Sequence, residues 1–151
     1  MLVGLTGRNA SGKTTVVQWF ASRGVQTLSC SDSIRRWLSE EGIEETRGSL
    51  IEGGRELRRR GGAGVLAEML LEELSSDDAV IDSIRTPGEV EVLRARDDFV
   101  LIEVRAGADS RWQRSQERAR PGDPSDRTAF VSQEAEEEVA LDAAGQALVA
   151  T

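Results

Sequence analysis

The stretch that decides the fold is Gly7-Arg8-Asn9-Ala10-Ser11-Gly12-Lys13-Thr14, preceded by Met1-Leu2-Val3-Gly4-Leu5-Thr6. The first six residues form a short apolar run, the pattern of a strand buried in a parallel sheet. Residues 14–22 bring Val16, Val17, Trp19, Phe20 and Ala21, which suits a buried helix that Gly24 stops. Between strand and helix lies Gly-x-x-x-x-Gly-Lys-Thr. Its glycines let the backbone wrap so that N–H groups point at one anion, and the helix N-terminus adds partial positive charge. In that context the loop is specific for the phosphates of a nucleoside triphosphate. Gly7, Asn9, Ala10, Ser11, Gly12, Lys13, Thr14 and Thr15 are the expected contacts. Lys13 would reach the β- and γ-phosphates, and the Thr14 hydroxyl would help hold Mg2+.

The rest of the 151 residues bounds what can surround this loop. The chain has the length of one domain. Its composition, 38% hydrophobic and 30% charged, is that of a soluble globular protein. No apolar run approaches the roughly 20 residues of a membrane span, and no signal-peptide pattern opens the chain. A single cysteine, Cys30, forms no internal disulfide, which fits a reducing cytoplasm. With no histidine and one cysteine, the usual zinc sites are excluded. A net charge of −8 argues against general nucleic-acid binding. Arg55, Arg58, Arg59 and Arg60 form one basic cluster, Arg111, Arg114, Arg118 and Arg120 another, and the acidic excess collects at residues 134–138. Lys13 is the only lysine. Arginine's planar fork suits phosphate, and a GC-rich genome produces the same bias.

Strands and helices alternate along the chain. Strands are expected at Val25 to Ser29, Ala79 to Asp82 and Phe99 to Val104. Helices are expected after a cap at Ser31 or Asp32, at Thr46 to Arg60, at about Ala63 to Leu74, after Pro87, at Ser110 to Ala119 and from about Thr128. That alternation implies an α/β fold with a parallel sheet.

Beyond the loop, three elements follow in order: Ser31-Asp32-Ser33-Ile34-Arg35, the helical run from Gly54 to Leu74, and Asp82-Ser83-Ile84-Arg85-Thr86-Pro87. With the glycine loop they resemble the P-loop nucleoside monophosphate kinases, adenylate kinase in particular. The likeness is closer still to small adenylate-kinase-related proteins carrying Asp-x-Ile-Arg-x-Pro-x-Glu-Val, matched here by Asp82 to Val90; dephospho-CoA kinases are more distant. The resemblance spans about Leu2 to Phe130. It implies a three-layer P-loop kinase fold, with a core at 1–31 and 76–105 and acceptor-side helices at 32–75. A lid would lie at 109–127 and a C-terminal helix at 128–148.

The same resemblance implies roles. Asp82 would orient Mg2+, Arg35 and Arg85 would clamp the acceptor's phosphate, and Arg114 and Arg118 would contact transferring phosphate from the lid, with Arg120 in a short loop. Asp32 would either contact the acceptor or simply cap its helix. Arg58 is expected on a solvated helix face, and Trp112 in packing rather than base stacking. The chain departs from the family in ending without a fifth core strand after four. Truncation, a partner chain or second copy covering the sheet edge, or a minimal core would each account for that. Ser31 stands where the family has glycine, and Ile84 where Phe-Pro would precede the arginine, so AMP is not the implied acceptor. The expected activity is transfer of the γ-phosphoryl of ATP, with Mg2+, to a nucleoside monophosphate or similar phosphorylated small molecule. A nucleotide-sensing module and a simple NTPase are the alternatives.

Overall fold

The computed structural model describes residues 1–119, 123–138 and 151. Four strands, β1 (Leu2–Thr6), β2 (Gln26–Ser29), β3 (Ala79–Asp82) and β4 (Phe99–Glu103), form one parallel sheet in the order β2-β3-β1-β4. Seven helices are described: α1 (Lys13–Ala21), α2 (Cys30–Glu40), α3 (Arg47–Gly61), α4 (Val65–Glu72), α5 (Pro87–Leu93), α6 (Ala108–Arg118) and α7 (Arg127–Glu138).

Alternation along the strands sorts side chains to two faces. Leu2, Ala79 and Ile81 pack with Cys30, Ile34, Leu38, Leu66, Leu70, Val90 and Leu93 of α2, α4 and α5. Val3, Leu5 and Val80 pack on the other face against Val16, Val17 and Phe20 of α1. The sheet is thus the middle of three layers, as a parallel sheet requires. β4 is an edge strand among the described residues, and its Val100 and Ile102 are exposed.

Local chemistry sets the element ends. Thr86 caps α5, accepting from the Glu89 N–H, while Glu89 reaches back to the Thr86 N–H, and Pro87 fills the first turn. Thr46 and Ser49 make the equivalent box at α3. The cap of α2 is Ser29, not Ser31 or Asp32: its side chain accepts from the Ser31 N–H, so the helix starts directly out of β2. Four expected elements prove a little shorter, β1, α4, β4 and the strand from Val25, while α6 begins two residues earlier than expected, at Ala108.

The first turn of α5 lies against the entry to α4. A Cβ on Gly88 would stand 2.6 Å from the Ala63 Cβ and 2.9 Å from its carbonyl carbon, and the Thr86 hydroxyl donates to the Ala63 carbonyl at 3.2 Å. Gly88→Ala is expected to destabilise the fold by about 1–3 kcal/mol through overpacking. Urea unfolding measures it, and an unchanged midpoint would show that this contact yields freely.

Candidate active site

Parallel strands all end at the same edge of the sheet, and the loops that follow β1, β2 and β3 meet there. They line a cavity of about 680 Å³ together with Ile34, Leu50, Arg58 and Arg85. Gly7 has φ +128°, and a Cβ there would lie 2.4 Å from the Val104 carbonyl oxygen, so only glycine fits where the loop leaves β1. Gly12, at φ +110°, turns the chain into α1.

Within the loop, the Lys13 ammonium folds back to donate to the Gly7 carbonyl at 2.7 Å and the Arg8 carbonyl at 3.0 Å. Two arginines of α6, one turn apart, reach the same loop. Arg114 donates to the Ser11 carbonyl at 3.0 Å and more weakly to that of Ala10. Arg118 donates to Asn9 Oδ1 at 3.0 Å and forms a two-pronged pair with Asp123 at 2.7 and 2.9 Å. Asn9 Oδ1 also accepts from the Ala10 N–H. Thr14 and Thr15 are exposed, and Thr14 lines the cavity. Ser11 Oγ is buried without a hydrogen-bond partner.

Asp82 ends β3 opposite Ser29. Its Oδ1 is buried and has no hydrogen-bond partner, an orphan that a buried carboxylate rarely tolerates. Three residues on, Arg85 lines the same cavity. Ser83 makes this possible by taking a left-handed conformation, φ +64°. The chain then locks against β1, with the Ile84 N–H donating to the Leu5 carbonyl and Thr6 Oγ1 to the Ile84 carbonyl.

The Mg2+ implied by the resemblance has a donor set that fits. The ion takes one or two protein oxygens and completes its shell with phosphate and water, and the Asp82 orphan and Thr14, which line the same cavity, are such oxygens. Among the described residues no cluster of three or more carboxylates, cysteines or histidines could hold a metal alone.

At the mouth, Arg35 bonds to Asp32 at 2.7 Å and Glu45 at 2.9 Å, so Asp32 is an ion-pair partner rather than the helix cap. Arg58 does not sit on a solvated face: it is 4% exposed, and Glu89 is 0% exposed. Arg58 Nε and Nη2 donate to Glu89 Oε1 at 3.0 and 2.8 Å. The solvated members of its cluster are Arg59 and Arg60, both paired with Glu56. Removing one partner of a buried pair costs about 3–5 kcal/mol, because the other charge stays buried.

Trp112 packs edge-on against Phe130, and Arg111 is buried in an ion pair with Glu134, which seats α7 on α6. Arg120 and the expected helix beyond residue 138 lie outside the described residues.

The comparisons follow this geometry. No family model matches the chain. A UPF0200 protein from Hyperthermus butylicus is 30% identical over 128 residues, covering 83% of this chain and 69% of the relative. The chain belongs to the UPF0200 family. A second UPF0200 relative, from Thermococcus onnurineus, is 27% identical and covers 82% of this chain and 71% of the relative. The names of these relatives state no activity. Among solved structures, shikimate kinase from Bacteroides thetaiotaomicron aligns with a TM-score of 0.61 at 19% identity, over 91% of this chain and 79% of that one. Shikimate kinase from Acinetobacter baumannii, in complex with shikimate, aligns with a TM-score of 0.55 at 23% identity, over 80% of this chain and 65% of that one. A gluconokinase from Sinorhizobium meliloti gives 0.51 at 14%, over 89% of this chain and 73% of that one. The fold of this UPF0200 chain is that of the P-loop kinases.

Three residues at or behind this UPF0200 site had no role assigned from the sequence. Glu89 was legible as the last member of a Thr-x-x-Glu capping box, but nothing local revealed Arg58, 31 residues away, as its partner. Asp123 sits in a Pro/Gly/Asp loop whose composition signals only a turn. Cys30, the first residue of α2, lies in the cavity wall, fully buried. Burial, reinforced by the nearby Glu89 carboxylate, pushes its thiol well above the usual range. Cys30 is therefore expected to resist a disulfide-exchange reagent in the native protein and to react fully in urea; rapid native labelling would show that the wall opens.

Proposed function

We propose that this UPF0200 chain is an ATP-dependent phosphotransferase acting on a small phosphorylated molecule of the nucleoside monophosphate kind. The observation that carries this reading is one cavity lined by both the glycine loop and Arg35, Arg58 and Arg85. A loop that only hydrolysed a triphosphate would need no second set of arginine donors in its cleft. The fold shared with P-loop kinases supports the reaction class, and the orphaned Asp82 oxygen supports a hydrated Mg2+ beside Thr14.

In this mechanism Lys13 and Arg114 exchange their loop carbonyls for oxygens of the triphosphate. Carbonyls are neutral acceptors, and phosphate oxygens are charged ones that bind the same donors about twice as strongly. Thr14 and Asp82 would hold the metal, which would supply positive charge to offset that of the phosphates. Arg118, released from Asp123, faces the transferring group, whose negative charge spreads over its equatorial oxygens. Catalysis is positioning and electrostatics, with no covalent intermediate on the protein. Arg85 and Arg35 hold the acceptor's own phosphate. A reducing cytoplasm suits a chain with one buried thiol.

The test is a panel: ATP and Mg2+ with each nucleoside and deoxynucleoside monophosphate, dephospho-CoA, shikimate and gluconate, following ADP. The last two are included because the structural neighbours are named for them. The expected result is acceptor-dependent ADP release that falls about 10²-fold or more in Lys13→Ala, the scale of losing one oxyanion-binding donor. Tight ATP binding with no turnover on any acceptor would favour a nucleotide sensor instead. Acceptor-independent release would favour a simple NTPase.

A further inference from the structure

Arg35 is held from two sides at the mouth of the cavity, and the two holds differ. Asp32, one turn earlier on α2, accepts from Arg35 Nη1 at 2.7 Å. Glu45, in the connection between α2 and α3, accepts from Arg35 Nε at 2.9 Å through one oxygen, Oε1. All three residues line the cavity. The connection is exposed from Glu41 to Thr46. Arg35 is the one hydrogen-bond partner of the Glu45 side chain among the described residues.

Nε and Nη2 form the side-on edge of a guanidinium, the edge that grips a carboxylate or phosphate with two parallel bonds. On Arg35 half of that edge is taken by Glu45. An oxyanion entering the cavity therefore reaches the whole edge only by displacing that carboxylate. Asp32, bound at Nη1, is not in the way.

The exchange discriminates between anions. Exposed ion pairs contribute little to stability, so a strong anion can displace Glu45. Yet a tethered carboxylate competes at an effective concentration on the order of millimolar. A free carboxylate offers Arg35 the same charge and the same kind of oxygen, and gains nothing over the one already in place. A phosphate monoester offers a charge of about −1.5 to −2 and three acceptor oxygens, and gains by the exchange.

We propose that Glu45 is a specificity-determining residue of the acceptor side. It occupies Arg35 in the empty cleft, gives way to a phosphate group and excludes molecules that offer Arg35 only a carboxylate. This rests on the reading that Arg35 holds the phosphate of a second molecule.

Inorganic phosphate is the probe, titrated by calorimetry into protein saturated with Mg2+ and the non-hydrolysable analogue AMPPNP, so that the glycine loop is already filled. Sodium acetate is the competitor, with sodium chloride at equal ionic strength as its reference. Wild type is expected to bind phosphate, and acetate to displace it no better than chloride does. Glu45→Gln keeps the shape and removes the charge. It is expected to bind phosphate about threefold more tightly, the scale of one exposed ion pair, and to let acetate displace phosphate better than chloride. Glu44→Gln removes the same charge one residue away, from a side chain not bound to Arg35, and is expected to change neither. An equal gain in Glu44→Gln would reduce the effect to loss of charge near an anion and overturn the proposal. Phosphate affinity unchanged or weakened in Glu45→Gln would also overturn it, as would acetate outcompeting chloride in wild type; the reading of a second phosphate would survive all three. No phosphate binding by AMPPNP-loaded wild type would overturn that reading and the proposal together.

Discussion

Everything chemical in this protein depends on the parallel pairing of β1 with β3. The register Leu2↔Ala79, Val3↔Val80, Gly4↔Ile81 runs both strands out at the same edge. The glycine loop and Asp82 are therefore neighbours although some 70 residues separate them in sequence. The adjacent pairing of β2 with β3 brings the start of α2 to the same edge. A one-residue slip would move Val80 from the α1 side to the α2 side and break both cores at once. The hydrophobic pattern that stabilises the sheet is thus also what aligns the site.

The loop and the strand-end aspartate were legible because their chemistry is local: a glycine pattern between an apolar run and a helix, and a carboxylate at a strand end. Arg85 was singled out by the resemblance that the Asp82 to Val90 motif carries, although nothing in that motif shows that Ser83 adopts a left-handed backbone. Arg58 was misread. In a run of Arg-Glu-Leu-Arg-Arg-Arg, each arginine looks equally solvated. Only the helix phase and the arrival of α5 decide which one turns inward, and the partner that neutralises it comes from a distant turn. Pairings of that separation are decided by tertiary packing, which composition and periodicity do not encode. The cap of α2 was missed for a smaller reason: three serines stand within five residues, and each is a good cap.

The arginines also show how little a charge count says about a site. Arg35 is shared between two carboxylates, Arg58 is neutralised by one, Arg118 is held by Asp123 and Arg111 is spent on seating α7. The pairs differ in what they can release. The Arg118 side chain keeps some contact with solvent, whereas Arg58 and Glu89 are sealed in.

The ties between α5 and the α3–α4 segment bear on motion. Thr86 bonds to Ala63, Gly88 touches the same residue, and Glu89 grips Arg58. These three contacts come from the cap and first turn of α5 and splice α3, α4 and α5 into a single stiff wall. Tilting α3 outward would break a buried ion pair at a cost of about 3–5 kcal/mol, a large part of the stability of a domain this size. By contrast, the connection from Glu41 to Thr46 is exposed along its length and makes no such seal. The α3–α5 side is the anvil of the cleft, held in place by a charge that has nowhere else to go.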